Sequence, residues 1–184
     1  MRKALIIVLV LALPLGLFAG NIFGEFSLGY RLQGDSTLRD VYGGGALQPV
    51  LGVGTHLGKV HLILSAGYFT NSGKTLGLGE KTTLSYIPLF VKAIYPFMMG
   101  ANVHPYVGAG AGFLFYKVDN DSPTLEDVNK TAFGFEPEIG LCKPVAEGRV
   151  VILSLSYLLA SAKPFGETRN LGGLRFSVGF RAKF

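Results

Sequence analysis

The segment from Leu174 to Phe184 (LRFSVGFRAKF) alternates strictly between apolar residues and polar or very small residues. In an extended chain, its Leu, Val, Ala and Phe side chains occupy one face, and its Arg, Ser, Gly and Lys residues occupy the other. Alternation over about eleven residues is the length and pattern of a β-strand that crosses a membrane. The segment therefore predicts a transmembrane strand whose apolar, aromatic face contacts lipid.

The first twenty residues have the pattern of a secretory signal peptide. Arg2 and Lys3 precede an uninterrupted apolar run, Ala4–Leu13, and the segment ends on small residues. This run is shorter than the roughly 20 residues that a spanning helix needs, which argues against an N-terminal membrane anchor. We expect a cleaved signal peptide over residues 1–20 and one mature domain over residues 21–184.

Composition and motifs argue against several classes of function. The net charge of +5 is mild and scattered, and two of the 17 basic residues lie in the predicted signal peptide, so no nucleic acid is expected. Cys142 is the only cysteine, and the three histidines lack metal-ligand spacing. The glycine-rich segments around Lys74 and over Gly108–Gly112 fall short of phosphate-binding and dinucleotide motifs. We expect no cofactor, no metal and no catalytic residue.

Period-two alternation recurs along the mature chain and predicts further strands. The predicted strands are Ile22–Leu32, Leu47–Leu57, His61–Phe69, Thr83–Tyr95, His104–Tyr116, Ala132–Cys142, Val150–Leu159 and Leu174–Phe184. Short turns alternate with long polar loops, as in outer-membrane barrels. The predicted turns are Gly58-Lys59, Phe97–Val103 and Lys143–Arg149, and the predicted loops are Gln33–Ala46, Thr70–Thr82, Val118–Thr131 and Ala160–Gly173. An even number of antiparallel strands closes without leaving an unpaired edge in lipid. The predicted fold class is all-β: an eight-stranded antiparallel transmembrane up-and-down β-barrel.

A soluble barrel of the lipocalin type is the alternative, and it would place its polar face outside. The polar face here is mostly Gly and Ser, too bare for a solvated exterior, and the mean hydropathy of +0.41 is high for a soluble domain. Aromatic residues near the strand ends predict two interfacial belts. These are Tyr30, Tyr68, Phe113, Phe115, Phe133 and Phe135 on the loop side, and Tyr95, Phe180 and Phe184 on the turn side. The pattern favours the membrane barrel.

Charged residues on the inward face predict a filled lumen, because eight strands enclose only enough room for side chains. The inward set is Glu25, Arg31, His56, Lys92, Glu136, Glu138, Arg175 and Arg181. Closure places the last strand beside the first, so we expect Glu25 to meet Arg181. Glu136 and Glu138 are expected to meet Arg175 or Lys92 across the lumen, since unpaired buried charges are costly. We interpret this network as a structural plug rather than an ion pathway.

One segment resembles a known protein family, and another resembles a known assembly signal. Ser85–Tyr116 (SYIPLFVKAIYPFMMGANVHPYVGAGAGFLFY) resembles the outer-membrane-protein beta-barrel-domain family, which includes OmpA-, OmpX- and OmpW-like barrels. The C-terminal segment is similar to the assembly signal of bacterial outer-membrane barrels: Ser177, Gly179 and Phe184 match it, and Ala182 stands where an aromatic residue is usual. The resemblance implies location in the bacterial outer membrane. Its implied partners are outer-membrane lipids, lipopolysaccharide and the insertion machinery.

The resemblance specifies architecture better than function, because members of the family include adhesins, protective coat proteins and solute conduits. We expect a monomeric, non-enzymatic barrel with a structural or surface-interaction role and a side-chain-filled lumen. One alternative is an OmpW-like conduit for small hydrophobic solutes, whose apolar pocket Ile63, Phe69, Leu84 and Leu114 could line. A lipid A-modifying enzyme is the other, but it needs a nucleophile and base facing lipid or the outer rim. The sequence places no histidine on the outward face.

Overall fold

A computed structural model describes residues 22–75, 79–97, 102–121, 127–163 and 167–184. The predicted signal peptide lies outside these ranges, as does the expected turn at Met98-Met99-Gly100. Within these ranges, no helix is long and apolar enough to cross a membrane.

The described chain is almost entirely β-structure. Its elements are β1 (Ile22–Gln33), α1 (Ser36–Tyr42), β2 (Gly45–Leu57), β3 (Val60–Gly67), β4 (Phe69–Lys74), β5 (Lys81–Pro96), β6 (His104–Asn120), β7 (Val128–Ala146), β8 (Arg149–Leu158), β9 (Ser161–Ala162), β10 (Arg169–Asn170) and β11 (Gly173–Lys183). β3 and β4 both pair with β5 and form one barrel strand interrupted at Tyr68. The result confirms the predicted eight-stranded antiparallel barrel.

The barrel closes at the β1–β11 seam, where its first and last strands pair. β1 pairs with β11, which sets Glu25 opposite Arg181 and Arg31 opposite Arg175. β3 pairs with β5, which sets Ile63 opposite Lys92. These registers place the inward charged residues of both ends of the chain in one lumen.

Outward side chains form an apolar surface around the barrel. Leu51 is 65% exposed and Phe133 is 62% exposed, and the predicted belt residues from Tyr30 to Phe184 are all exposed. A soluble protein rarely leaves so large and continuous an apolar surface in contact with water. This wall is therefore the lipid-facing surface of a membrane barrel.

The strands extend further than the sequence-based boundaries. β4 and the start of β5 occupy part of the predicted loop Thr70–Thr82, and β6 and β7 extend into the predicted loop Val118–Thr131. β7 also continues to Ala146, inside the predicted turn Lys143–Arg149. Above the aromatic belt the outward residues are polar, so alternation between apolar and polar residues no longer marks the strand. The predicted loop boundaries are wrong for this reason.

A short helix lies in the predicted loop Gln33–Ala46. The Asp35 carboxylate caps α1 by accepting a hydrogen bond from the N–H of Leu38 at 3.2 Å. Gly43 ends the helix with φ of 82°, a conformation that favours glycine. Leu38, Val41 and Tyr42 are buried, so α1 packs its apolar side chains onto the loop-side end of the barrel.

The barrel interior divides into two apolar clusters with charged residues between them. The loop-side cluster comprises Leu38, Val41, Tyr42, Phe69, Leu84, Tyr86, Phe90, Leu114, Tyr116, Val118, Ala132, Leu158, Ala160, Ala162 and Leu171. The turn-side cluster comprises Phe23, Ile63, Ile94, Tyr106 and Ile152. Along β5, Lys92 lies between Phe90 of the first cluster and Ile94 of the second. The charged residues at this height form what we term the charge layer: Arg31, Lys92, Glu136, Glu138 and Arg175.

Candidate functional site: the charge layer

Strand geometry explains why these side chains converge. Residues two apart on a strand share a face, so Glu136 and Glu138 on β7 both point into the lumen. β1, β5 and β11 contribute the cations Arg31, Lys92 and Arg175 in the same way. All five residues are buried. The layer therefore depends on four strands brought together by closure.

Glu136 is held by the most contacts in the layer. The Nη2 atom of Arg31 donates to Glu136 Oε1 at 3.1 Å, and the Ser156 hydroxyl donates to the same oxygen. Lys92 Nζ lies 4.0 Å from that atom. Arg31 also donates to Gln48 Oε1 at 2.7 Å and to the carbonyl of Gly173 at 3.0 Å. The Arg31–Glu136 pair thus meets the condition for a tolerable buried ion pair, which is additional hydrogen bonding.

Glu138 forms the second ion pair of the layer. Lys92 Nζ lies 2.9 Å from Glu138 Oε2, and the Tyr106 hydroxyl donates to Oε1 at 2.6 Å. Lys92 consequently lies between the two carboxylates and links them. Tyr106 connects the charge layer to the turn-side cluster, of which it is a member.

Glu25 and Arg181 form a separate group nearer the turns. Arg181 donates from Nε and Nη2 to Glu25 Oε2 at 3.0 and 2.7 Å. Its Nη1 atom lies 2.7 Å from His61 Nδ1, and its guanidinium carbon lies 4.4 Å from the centre of the Phe23 ring. The structure thus brings together the two residues that the sequence places on neighbouring strands.

Arg175 is placed differently from the other cations. Its Nη2 atom donates to Ser27 Oγ at 2.7 Å, and no carboxylate of the described residues lies within ion-pair distance of it. Of the two cations proposed for Glu136 and Glu138, Lys92 makes the ion pairs and Arg175 does not. The sequence-based pairing also gives Arg31 no partner, and it does not include Gln48, Tyr106 and Ser156 as hydrogen-bond partners. The sequence does indicate that Arg31, Gln48 and Tyr106 face the lumen, because alternation places them on the same face as the charged or glycine residues of their strands. Ser156 has no such neighbours on its strand.

The two residues of the predicted assembly signal lie on opposite faces of the wall. Gly179 faces the lumen opposite Ser27, where an added Cβ would lie 3.0 Å from the Ser27 Cβ atom. Phe184 is 84% exposed, and its ring covers Gly24 on the outer surface. Its N–H donates to the carbonyl of Ile22 at 3.1 Å, which joins it to the start of β1.

The lumen contains little free space at the height of the charge layer. Two interior cavities, each of about 10 Å³, are bounded by charge-layer residues and Ser65. The larger depressions, of about 660 and 560 Å³, lie on the lipid-facing wall beside residues such as Val178 and Leu51. The residues described here therefore leave no wide passage through the charge layer.

The loop-side end is filled by apolar side chains. Phe69, Leu84 and Leu114 belong to the loop-side cluster and are fully buried, and the ring of Phe69 stacks on Tyr86 at 4.6 Å. Ile63 belongs to the other cluster. Tyr42 of α1 exchanges a hydrogen bond of 3.1 Å with Thr82, and burial raises the pKa of its phenol. Three of the four residues proposed to line a pocket therefore pack together beneath α1, whereas Ile63 lies nearer the turns and the proposal is wrong for it.

Comparison with known proteins supports the architecture. No protein-family model matches the chain, and no curated protein matches its sequence. Among solved structures, Neisserial surface protein A is similar with a TM-score of 0.67 and 18% identity, covering 89% of this chain and 97% of that one. The outer membrane protein OprG from Pseudomonas aeruginosa has a TM-score of 0.67 and 16% identity, covering 89% and 96%. The N-terminal β-barrel domain of Pseudomonas aeruginosa OprF has a TM-score of 0.55 and 17% identity, covering 89% and 98%. At these identities the comparisons establish a shared fold.

Proposed function

Because the chain has the fold of the small bacterial outer-membrane β-barrels, we propose that it is a structural or surface-interaction barrel closed to solutes. The exposed apolar wall and its aromatic belts are those of a protein of the bacterial outer membrane. Within that membrane, the barrel acts as a monomeric anchor that presents its loop-side surface outside the cell. No catalytic step is part of this proposal.

The filled lumen is the observation that carries the proposal. Ion pairs between β1, β5 and β7 cross the lumen, and each interior cavity has room for about one water molecule. Apolar clusters cover this layer on both sides. A solute would have to separate buried ion pairs to pass, which costs several kcal/mol for each charge left unpaired.

Outer-membrane lipids and lipopolysaccharide are the proposed partners of the wall. Above the aromatic belt, Lys74 lies directly opposite Lys81 on the exposed face of β4 and β5. Like charges opposite each other on a sheet repel, so an anionic headgroup between them would be stabilising. During assembly, the insertion machinery is the proposed partner of the segment that ends with Gly179 and Phe184.

Conductance of the purified protein in a planar bilayer tests the closed lumen. We expect no steady single-channel conductance, because the charge layer blocks ion flow. Folding of the same sample is checked by the gel shift of unheated against boiled protein, which distinguishes a closed barrel from an unfolded one. Steady conductance from a sample that is fully folded by this criterion would contradict the proposal.

A conduit for small hydrophobic solutes is the second candidate, and the loop-side cluster is the observation that favours it. The cluster is apolar and is covered by a helix of only seven residues, so movement of α1 would expose an apolar surface. Saturable uptake of an apolar solute, lost on Leu114→Arg but retained on Lys117→Ala at the exposed rim, would support the conduit. Uptake equal to that of cells without the protein would support the closed barrel.

A lipid A-modifying activity is not proposed, because the candidate residues lie inside the barrel. His56 and His61 contact each other with ring centres 4.3 Å apart near the turns, and Ser154 bonds to Ser177 at 2.6 Å. Lipid A of cells that produce the protein should be unchanged by mass spectrometry. A changed acyl-chain number would show that this part of the proposal is wrong.

A further inference from the structure

The charges that line the described lumen do not balance. The buried or half-buried cations are Arg31, Lys92, Arg175 and Arg181, and the carboxylates are Glu25, Glu136 and Glu138. Each carboxylate accepts an ion pair from a cation other than Arg175. The lumen therefore carries an excess of one positive charge, located at Arg175.

Arg175 is too deeply buried for solvent to compensate that charge. Its side chain is among the largest in the described chain that are fully buried, with 2% of the residue exposed. The Nη2 atom donates to Ser27, a neutral hydroxyl, and the Nε atom has no hydrogen-bond partner among the described residues. A buried cation without an ion-paired carboxylate is unfavourable, so an anion in contact with it would be stabilising.

A second unpartnered donor, the amide of Gln48, lies on the lining of an interior cavity that Arg175 also lines. Gln48 is 0% exposed; its Oε1 atom accepts from Arg31, and its Nε2 atom has no hydrogen-bond partner in the part of the chain that the structure describes. Gln48 and Arg175 both line one of the interior cavities of about 10 Å³, together with Arg31 and Lys92. The described lining of the cavity thus includes three cations, one carboxylate (Glu136) and two side chains with an unpartnered donor.

Glu136 and Ser65, which also line the cavity, already have hydrogen-bond partners. Glu136 accepts from Arg31 and Ser156, and the Ser65 hydroxyl donates to the carbonyl of Phe90 at 3.4 Å. Because Glu136 is ion-paired with Arg31, the described lining of the cavity has no carboxylate paired with Arg175. A water molecule would accept these hydrogen bonds but would leave the excess charge in place.

We propose that this cavity binds a single small monovalent anion of the halide class, held by Arg175 Nε and the Gln48 amide. Its size selects for a monatomic ion, because a cavity with room for about one water molecule excludes sulfate or phosphate. The bound anion neutralises Arg175 and completes the charge layer. This site is independent of whether the loop-side cluster admits an apolar solute.

Unfolding by urea in lipid nanodiscs tests the site, with sodium chloride or bromide compared against sodium gluconate at equal ionic strength. We expect the halides to raise the unfolding midpoint saturably, because they bind the folded state alone. Gln48→Met keeps the shape of the side chain and removes the donor, so it should weaken the apparent halide affinity at least tenfold. Arg175→Gln should abolish the halide effect, since it removes the guanidinium that holds the anion at the cavity.

Arg181→Gln is the matched control, because it removes a lumen arginine that pairs with Glu25 away from this cavity. It should retain the halide effect even where its overall stability is lower. Anomalous diffraction from bromide-soaked crystals should show a peak between Arg175 and Gln48. A midpoint that is equal in halide and gluconate, or density for water alone in the cavity, would overturn the proposal.

Discussion

Glu136 shows, at the scale of single residues, how much of the lumen depends on one carboxylate. Replacing it by Ala leaves Arg31 without its counter-charge and removes one of the two carboxylates near Lys92. We expect Glu136→Ala to lower the free energy of unfolding by about 3–5 kcal/mol, the usual cost of breaking a buried ion pair. Urea titration in lipid vesicles measures it. Glu147→Ala, at the exposed turn between β7 and β8, is the control and should change stability by no more than about 0.5 kcal/mol.

Sequence alternation predicts which residues enter the lumen but not which of them pair. Arg31 and Glu136 are 105 residues apart, and their contact depends on the stagger between strands on opposite sides of the barrel. Pairs on neighbouring strands are easier to predict, because the β1–β11 seam places Glu25 directly opposite Arg181. The pairing across the lumen, and with it the isolation of Arg175, therefore requires the three-dimensional structure.

At the scale of elements, α1 closes the loop-side end, and its removal should open that end without unfolding the barrel. Replacing residues 36–42 by a Gly-Ser linker removes the buried Leu38, Val41 and Tyr42. In a Cys142→Ser background, Leu114→Cys should then react with a maleimide at least tenfold faster than in the protein that retains α1. Equal labelling rates would show that α1 does not cover the loop-side cluster.

The helix itself is not predictable from its sequence. Seven residues are too few for a periodic pattern, and so short a helix is unstable in isolation. The local indications are the capping residue Asp35 and the glycine pair Gly43-Gly44, which also fit a turn. Burial against the barrel stabilises α1, so the information lies in the tertiary structure.

For the whole molecule, the apolar wall predicts how far the barrel extends through the bilayer. Val178 is 58% exposed at mid-strand on β11, whereas Ser72 lies on β4 beyond the aromatic residue Tyr68. We expect Val178→Arg to destabilise the barrel by about 2–4 kcal/mol in phosphatidylcholine vesicles, and Ser72→Arg by no more than about 1 kcal/mol. Equal penalties from urea titration would contradict the proposed position of the membrane.

The distribution of the charge layer over four strands has a consequence for assembly. While the sheet is open at the β1–β11 seam, Arg31 of β1 lies in an apolar surrounding without Glu136 of β7, and Arg181 of β11 lacks Glu25 of β1. Partly closed forms are therefore destabilised by unpaired charges, and the compensating ion pairs form only when the barrel closes. We expect folding in lipid to be all-or-none, with probes at the β1–β11 seam and at the β5–β6 hairpin reporting a single common rate. The charged residues that fill the barrel thus make its closure cooperative.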